Sequence, residues 1–248
     1  MNELNKSSQI EVVARPSVEV VDEGLRSYMI KVFNYMSGSL LVAGLVAYLF
    51  ANTGLIKLLY NIDYQAQTAS ISGIGWLVML SPLAMIFAFH YVLSRKSLAA
   101  VQAVFWLFSV LEGASLAYLF IIYSGASITR VFFVTAITFG CMGILGYSTQ
   151  RDLSKLGSYL YMALIGLIVA LVVNMFLKSS GLDYALSCIG VLLFTGLTAV
   201  DIQNIKMMYY RQDSEDTASR KAIAGALNLY LDFVNLFLML LRLMGDRR

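Results

Sequence analysis

Three carboxylates occupy stretches of this 248-residue chain that are otherwise apolar enough to sit in a bilayer. Asp232 stands near the middle of residues 222–243, where the only other charged side chain is Arg242 at the far end. Asp201 lies within 185–210, and Glu112 in the middle of 99–123. A carboxylate at mid-bilayer costs about 2.5–3.5 kcal/mol on insertion scales, so it ordinarily faces the interior of a helix bundle. No lysine or arginine is placed deep enough to neutralise these three acids. The remaining options are protonation, a proton shared between two carboxyl groups, or a bound cation. Each couples the protein to pH or to cations. The plainer reading is structural: Asp232 as a carboxylic acid hydrogen-bonded to asparagine neighbours, and Glu112 satisfied by Ser109 and Ser115, one turn away on its own face.

Spacing places the acids further. Lys221, Gly225, Asn228, Asp232, Asn235, Met239 and Arg242 alternate by four and three, which puts them on one helical face while Leu, Phe and Val fill the others. A helix with one polar or small stripe and apolar remaining faces belongs at the centre of a bundle. Thr198 and Asn204 share the face of Asp201. Asp201 is nine residues from the end of its stretch and Asp232 ten from the start of the next, which at 1.5 Å per residue are depths of roughly 14 and 15 Å. Two adjacent antiparallel helices would bring these carboxyls level. Asn228, Asn235 and His90 are supporting candidates.

The elements that must hold these groups follow from composition. Hydrophobic residues make up 59% of the chain and charged residues 13%, with mean hydropathy +0.73, values outside the range of soluble domains. At about 20 residues per crossing, residues 28–50, 74–93, 99–123, 129–148, 156–177, 185–210 and 222–243 read as seven transmembrane helices. The expectation is an all-α integral membrane protein with a single transmembrane domain over 28–248. Residues 1–27 are polar without an apolar core, so no cleavable signal peptide is expected and they read as a short disordered tail. Of the 18 Lys and Arg, 12 fall in the tail with helix-start Lys31, the second and fourth connections and the segment 206–221; 6 fall on the opposite side. The positive-inside rule then puts the N-terminus in the cytoplasm and the C-terminus outside. A net charge of +3, spread over membrane-flanking loops, argues against a nucleic-acid partner; the lipid bilayer is the expected one.

Other residues give weaker signals. Cys141 and Cys188 fall inside spans without metal-ligand spacing and read as small apolar fillers. His90, the only histidine, sits at the cytoplasmic end of the second span, just before Arg95 and Lys96. Pro82 lies inside that span and should kink it. Gly140, Gly143 and Gly146, with Ala163, Gly166 and Ala170, are expected to let the fourth and fifth helices pack closely. A short echo between Lys31-Val32-Phe33 and Arg130-Val131-Phe132 hints at a duplication of three helices plus three, with the seventh left over. There is no HExxH or GxSxG motif, and no lysine in the middle of the seventh span. Asp232 is not preceded by Gly-x-Gly and Asp201 lacks a preceding Tyr, which argues against an intramembrane aspartyl enzyme. No enzymatic activity and no cofactor are expected.

The run Asn228-Leu229-Tyr230-Leu231-Asp232-Phe233-Val234-Asn235-Leu236-Phe237, continuing to Arg242, resembles the C-terminal signature of the Bax inhibitor-1 family in its bacterial branch. Gly196-Leu197-Thr198-Ala199-Val200-Asp201-Ile202-Gln203 is similar to the family's sixth-helix motif, with Val200 and Ile202 where Tyr and Thr are usual. Gly146-Tyr147-Ser148-Thr149-Gln150-Arg151-Asp152-Leu153 resembles its loop after the fourth helix, and Glu112-Gly113 its third-helix acid. The resemblance covers roughly residues 24–248. It implies two three-helix layers around a central C-terminal helix, in the bacterial cytoplasmic membrane. It also implies that Asp201 and Asp232 form a pH sensor in a calcium leak, with calcium the transported ion held transiently there. Other members are linked to suppression of cell death or to control of a membrane-bound protease. A pH-sensitive cation leak or exchanger is therefore the leading expectation, and a modulator of a membrane protease or stress machinery the alternative.

Overall fold

The computed structural model describes residues 23–63 and 68–247. Of the expected tail, residues 1–22 lie outside this range, whereas 23–27 are already helical. The elements in chain order are α1 (Glu23–Asn52), α2 (Ile56–Leu59), β1 (Tyr60–Asp63), β2 (Thr68–Ile71), α3 (Gly73–Arg95), α4 (Leu98–Leu116), α5 (Leu119–Ile122), α6 (Gly125–Ser148), α7 (Ser154–Leu177), α8 (Ser180–Met208) and α9 (Glu215–Met244). Among the described residues seven helices, counting α4 and α5 as one, are long and apolar enough to cross a membrane. They match the seven expected spans, with ends that shift by up to seven residues where caps decide. Ser214, for example, accepts a hydrogen bond from Thr217 N at 3.2 Å and starts α9 seven residues before the apolar run, with Glu215 and Asp216 in the first turn.

Two features were not legible as periodicity. Between the first two spans, β1 and β2 pair antiparallel with Tyr60 opposite Ile71 and Asn61 opposite Ser70. The third span breaks at Ala117–Tyr118, where Ala117 N bonds to Ala114 O in an i→i−3 turn before α5 resumes. Tyr118, at that break, is half-buried and lines interior space. Pro82 lies within an unbroken α3, and the Val78 carbonyl that its missing N–H leaves free is taken by Ser81 Oγ at 2.8 Å.

Helix α9 is the hub. It packs against α8, α1, α6 and α4, and 67% of its most apolar stretch is buried, against 6% for α7. Within the first half α4 packs against both α1 and α3; within the second, α8 packs against both α6 and α7. In lipid the apolar effect does not drive helices together, so close approach depends on small side chains. A Cβ placed on Gly113 would lie 2.4 Å from the Ala43 carbonyl oxygen, joining α4 to α1; one on Gly146 would lie 2.3 Å from that of Ala199, joining α6 to α8.

The expected small-residue seams are only partly used. Gly143 and Gly146 meet Ile202 and Ala199, but Gly140 and Gly166 have nothing within 4 Å of an added Cβ. Ala163 is exposed and Ala170 half-buried. The buried face of α7 is instead Gly157, Leu167 and Asn174, because α7 lies at the periphery and packs mainly against α8.

The loop between α6 and α7 is fixed from below. Gln203 of α8 donates to Arg151 O at 2.9 Å and accepts from Leu153 N at 2.8 Å. Asp152 accepts from Ser154 N at 2.8 Å, and hydrogen bonds from the Ser154 side chain and backbone hold its carboxyl below the usual range. At the opposite end, Ser124 N bonds to Asp246 O and Asp246 N to Ser127 Oγ, tying the residues after α9 to the start of α6.

Candidate functional site

The polar stripe on α9 faces α8. Gly225 sits against Ile205, with an added Cβ 3.1 Å from its side chain, and Met239 fills the space beside Gly190. Asp232 comes between these contacts, one heptad from each. Antiparallel pairing of the two helices therefore sets Asp232 against Asp201, within hydrogen-bonding reach of its carboxyl. Both are buried, at 6% and 7% exposure, and Asp232 Oδ2 has no hydrogen-bond partner among the described residues.

Asp201 is the better supplied of the two. Tyr161 of α7 donates its hydroxyl hydrogen bond to Asp201 Oδ1, and the Asn204 amide lies within reach of both groups. Sequence reasoning missed Tyr161. The departure at Val200 was the available signal, since a hydroxyl expected beside the aspartate is absent from α8. The hydroxyl comes instead from a neighbouring helix. Val200 packs its Cγ1 2.8 Å from where a Cβ on Gly157 would stand, so α7 approaches closely, and Tyr161 follows Gly157 by one turn on the same face.

Five of the six residues singled out from the sequence line one cavity of about 730 Å³: Glu112, Asp201, Asn228, Asp232 and Asn235, with Tyr161 and Tyr118 beside them. The cavity lies between α3 and α4 on one side and α7 and α8 on the other, with α9 as its floor. Among the described residues that line it there is no lysine, arginine or histidine. Asn235 donates Nδ2 to Leu231 O at 2.8 Å, which leaves its side-chain oxygen as an acceptor. The sixth candidate is left apart: His90 is exposed and its Nδ1 pairs with Ile86 O on its own helix at 2.8 Å.

Glu112 also departs from expectation. Ser109 pairs with Ser39 Oγ at 2.7 Å and donates to Phe105 O, while Ser115 donates to the backbone oxygen of Glu112. Neither serves its carboxyl, and no described residue hydrogen-bonds to it. Small serines bond more readily to the carbonyl three or four residues back than to a long side chain leaning out over the cavity.

Two further pockets adjoin this cavity. One of about 310 Å³, beside Met207 and Met208 near the end of α8, shares Tyr161, Asp201 and Asn228 with it. Another of about 580 Å³, beside Tyr123 and Arg247, shares Tyr118, Leu171 and Leu238. In the latter Arg242 and Asp183 approach to 3.5 Å. Asp201 thus stands between the cavity and the pocket near the end of α8, and three apolar or aromatic side chains stand between the cavity and the pocket beside Tyr123.

A bundle of seven membrane-length helices among the described residues, one of them packed at its centre, with facing aspartates in its interior, defines a multi-pass membrane protein rather than a soluble domain. The model for the family described as inhibitor of apoptosis-promoting Bax1 matches residues 25–248, and the chain belongs to this Bax inhibitor family. It is 45% identical to an uncharacterized protein of Rickettsia prowazekii over 92% of both chains. It is 42% identical to inner membrane protein YbhL of Escherichia coli, over 91% of this chain and 94% of that one. A Borreliella burgdorferi protein is also 42% identical, over 89% and 92%. These relatives and the seven apolar helices make the chain a multi-pass protein of the bacterial inner membrane.

Proposed function

We propose that this protein is a pH-sensitive cation leak in which Asp201 and Asp232 share a proton and control passage through the central cavity. The observation that carries this reading is the gathering of three carboxyl groups and two side-chain amides around one cavity whose described lining holds no basic residue. A hard cation such as calcium takes six to eight oxygen ligands and keeps water where protein oxygens are too few. Among the described residues no three acids stand close enough to hold one ion together, so Glu112, Asp201, Asp232, Asn228 and Asn235 would meet a cation in succession along the cavity, and calcium is the cargo that the family resemblance suggests.

The proton and the cation compete for the same charge. With one proton between them, the aspartates join α8 to α9 through an O–H···O⁻ bond. Removing that proton replaces the bond with repulsion across the α8–α9 contact, and adding another removes the charge that draws a cation. Tyr161 biases the pair by donating to the Asp201 side, where the cavity meets the pocket near the end of α8. The adjoining pockets supply the two ends of a path, closed at one by the aspartates and at the other by Tyr118, Leu171 and Leu238. We further propose transport without catalysis, with the N-terminus in the cytoplasm.

The test is purified protein in liposomes, with calcium, sodium and proton flux each measured at two pH values. Flux of at least one cation that changes with pH supports the reading. Absence of flux for every cation, in protein that is folded, would replace it with the modulator reading, in which the acids only hold the helices together.

A further inference from the structure

The two halves of the bundle meet through α9 and leave a seam on each side. One seam is the acid-lined cavity. The other, between α1 and α6, is a groove of about 620 Å³ with the opposite chemistry. Met29, Ile30, Phe33, Phe139 and Ile144 line it, and Gly140 keeps one wall low. An added Cβ on Gly140 would meet nothing within 4 Å, so this is open space and not a packed contact. At its rim Ile30 is 49% and Ile144 72% exposed, so the groove opens sideways toward lipid.

One end carries a charge. Arg26, in the first turn of α1, is the single charged residue among the described lining; it is exposed and has no hydrogen-bond or ion-pair partner among the described residues. The nearby cations are engaged: Lys31 donates to Ser219 Oγ at 2.7 Å, and Lys206 donates to Tyr147 O at 2.9 Å while lying over the Tyr147 ring. Arg26 thus stands at the mouth of an apolar slot with no partner among the described residues.

Length identifies the occupant. The slot follows α6 from Phe139 to Ser148, which at 1.5 Å per residue is roughly 14 Å, about half of a ~30 Å hydrocarbon core. A partner transmembrane helix would need a surface running the full thickness. An acyl chain needs one leaflet, and its phosphate would lie at the level where the helix starts. We propose that this groove holds one acyl chain of an anionic phospholipid, with the headgroup phosphate against Arg26. The inference rests on the membrane-spanning fold and is independent of cation flux.

Native mass spectrometry of the full-length protein, titrated with phosphatidylglycerol or with phosphatidylcholine of the same chains, tests it. The parent should retain phosphatidylglycerol roughly fivefold better, the contribution of one basic residue at an anionic surface. Arg26→Gln, at an exposed position, should remove that preference while still binding both lipids through the chain. Gly140→Leu, which fills the slot, should lower retention of both. Equal retention of the two lipids by the parent, or an unchanged preference in Arg26→Gln, would overturn the proposal. So would a dimer of this chain that Gly140→Leu dissociates, since that outcome assigns the groove to a helix.

Discussion

The Tyr161 hydroxyl donates to Asp201 Oδ1 across the α7–α8 contact, so one aspartate of the facing pair is held by a helix that touches little else. A donor to a carboxylate favours its ionised form. Tyr161→Phe should therefore move the midpoint of the pH profile of flux to higher pH, by about one unit for the loss of one hydrogen bond to a charged acceptor. Folded yield should stay near the parent's because Tyr161 is 42% exposed. A profile that superimposes on the parent's would remove Tyr161 from the mechanism.

The paired aspartates make a sharper prediction. Because the proton is shared, titration belongs to the pair and not to either residue. Asp201→Asn and Asp232→Asn should each flatten the pH profile, and the double substitution should add little to either one. Independent, additive effects in the same flux assay would show that the carboxyls do not act as a unit.

Glu112 was expected to be satisfied by its neighbouring serines, and the structure turns both of them elsewhere. Its carboxyl leans over the cavity without a donor among the described residues, which favours a part in attracting the cation. Glu112→Gln should lower flux on the order of tenfold, or about 1.4 kcal/mol, a modest share of the Coulomb energy of a unit charge at close range in protein. The melting temperature should change little. Full flux with intact folding would return Glu112 to a structural role.

Gly146 and Gly140 lie six residues apart on α6 and should respond in opposite directions. Alanine at 146 sets a Cβ against the Ala199 carbonyl oxygen at 2.3 Å, and overpacking of this kind costs about 1–3 kcal/mol, more than the roughly 1 kcal/mol alanine gains in helix propensity. Alanine at 140 meets nothing and keeps the gain. Thermal unfolding in detergent should show a lower melting temperature for Gly146→Ala and an equal or higher one for Gly140→Ala.

Orientation is checked by reporter fusions. Those placed after residue 248 should report outside the cytoplasm, and those between Met208 and Arg220 inside. The reverse pattern would overturn the proposed cytoplasmic position of the N-terminus.

Much of this protein was determined by sequence alone. Seven apolar stretches fixed the number of spans, because backbone in lipid must satisfy its own hydrogen bonds and therefore forms helices. The four-three spacing around Asp232 marked the face of α9 that turns to α8, because a polar stripe in an otherwise apolar helix has to be buried. The depths of Asp201 and Asp232 anticipated their meeting. What only the tertiary structure decided depends on which helices become neighbours and on where each side chain leans. Tyr161 reaches Asp201 because Gly157 admits Val200, a match between two helices that neither pattern announces. Ser109 and Ser115 share a face with Glu112 yet bond to other oxygens, and His90 shares the polarity of the site but not its location. Gly140, spaced like Gly143 and Gly146, borders open space because the glycine pattern marks where helices can approach, while the packing of the other helices determines where they do.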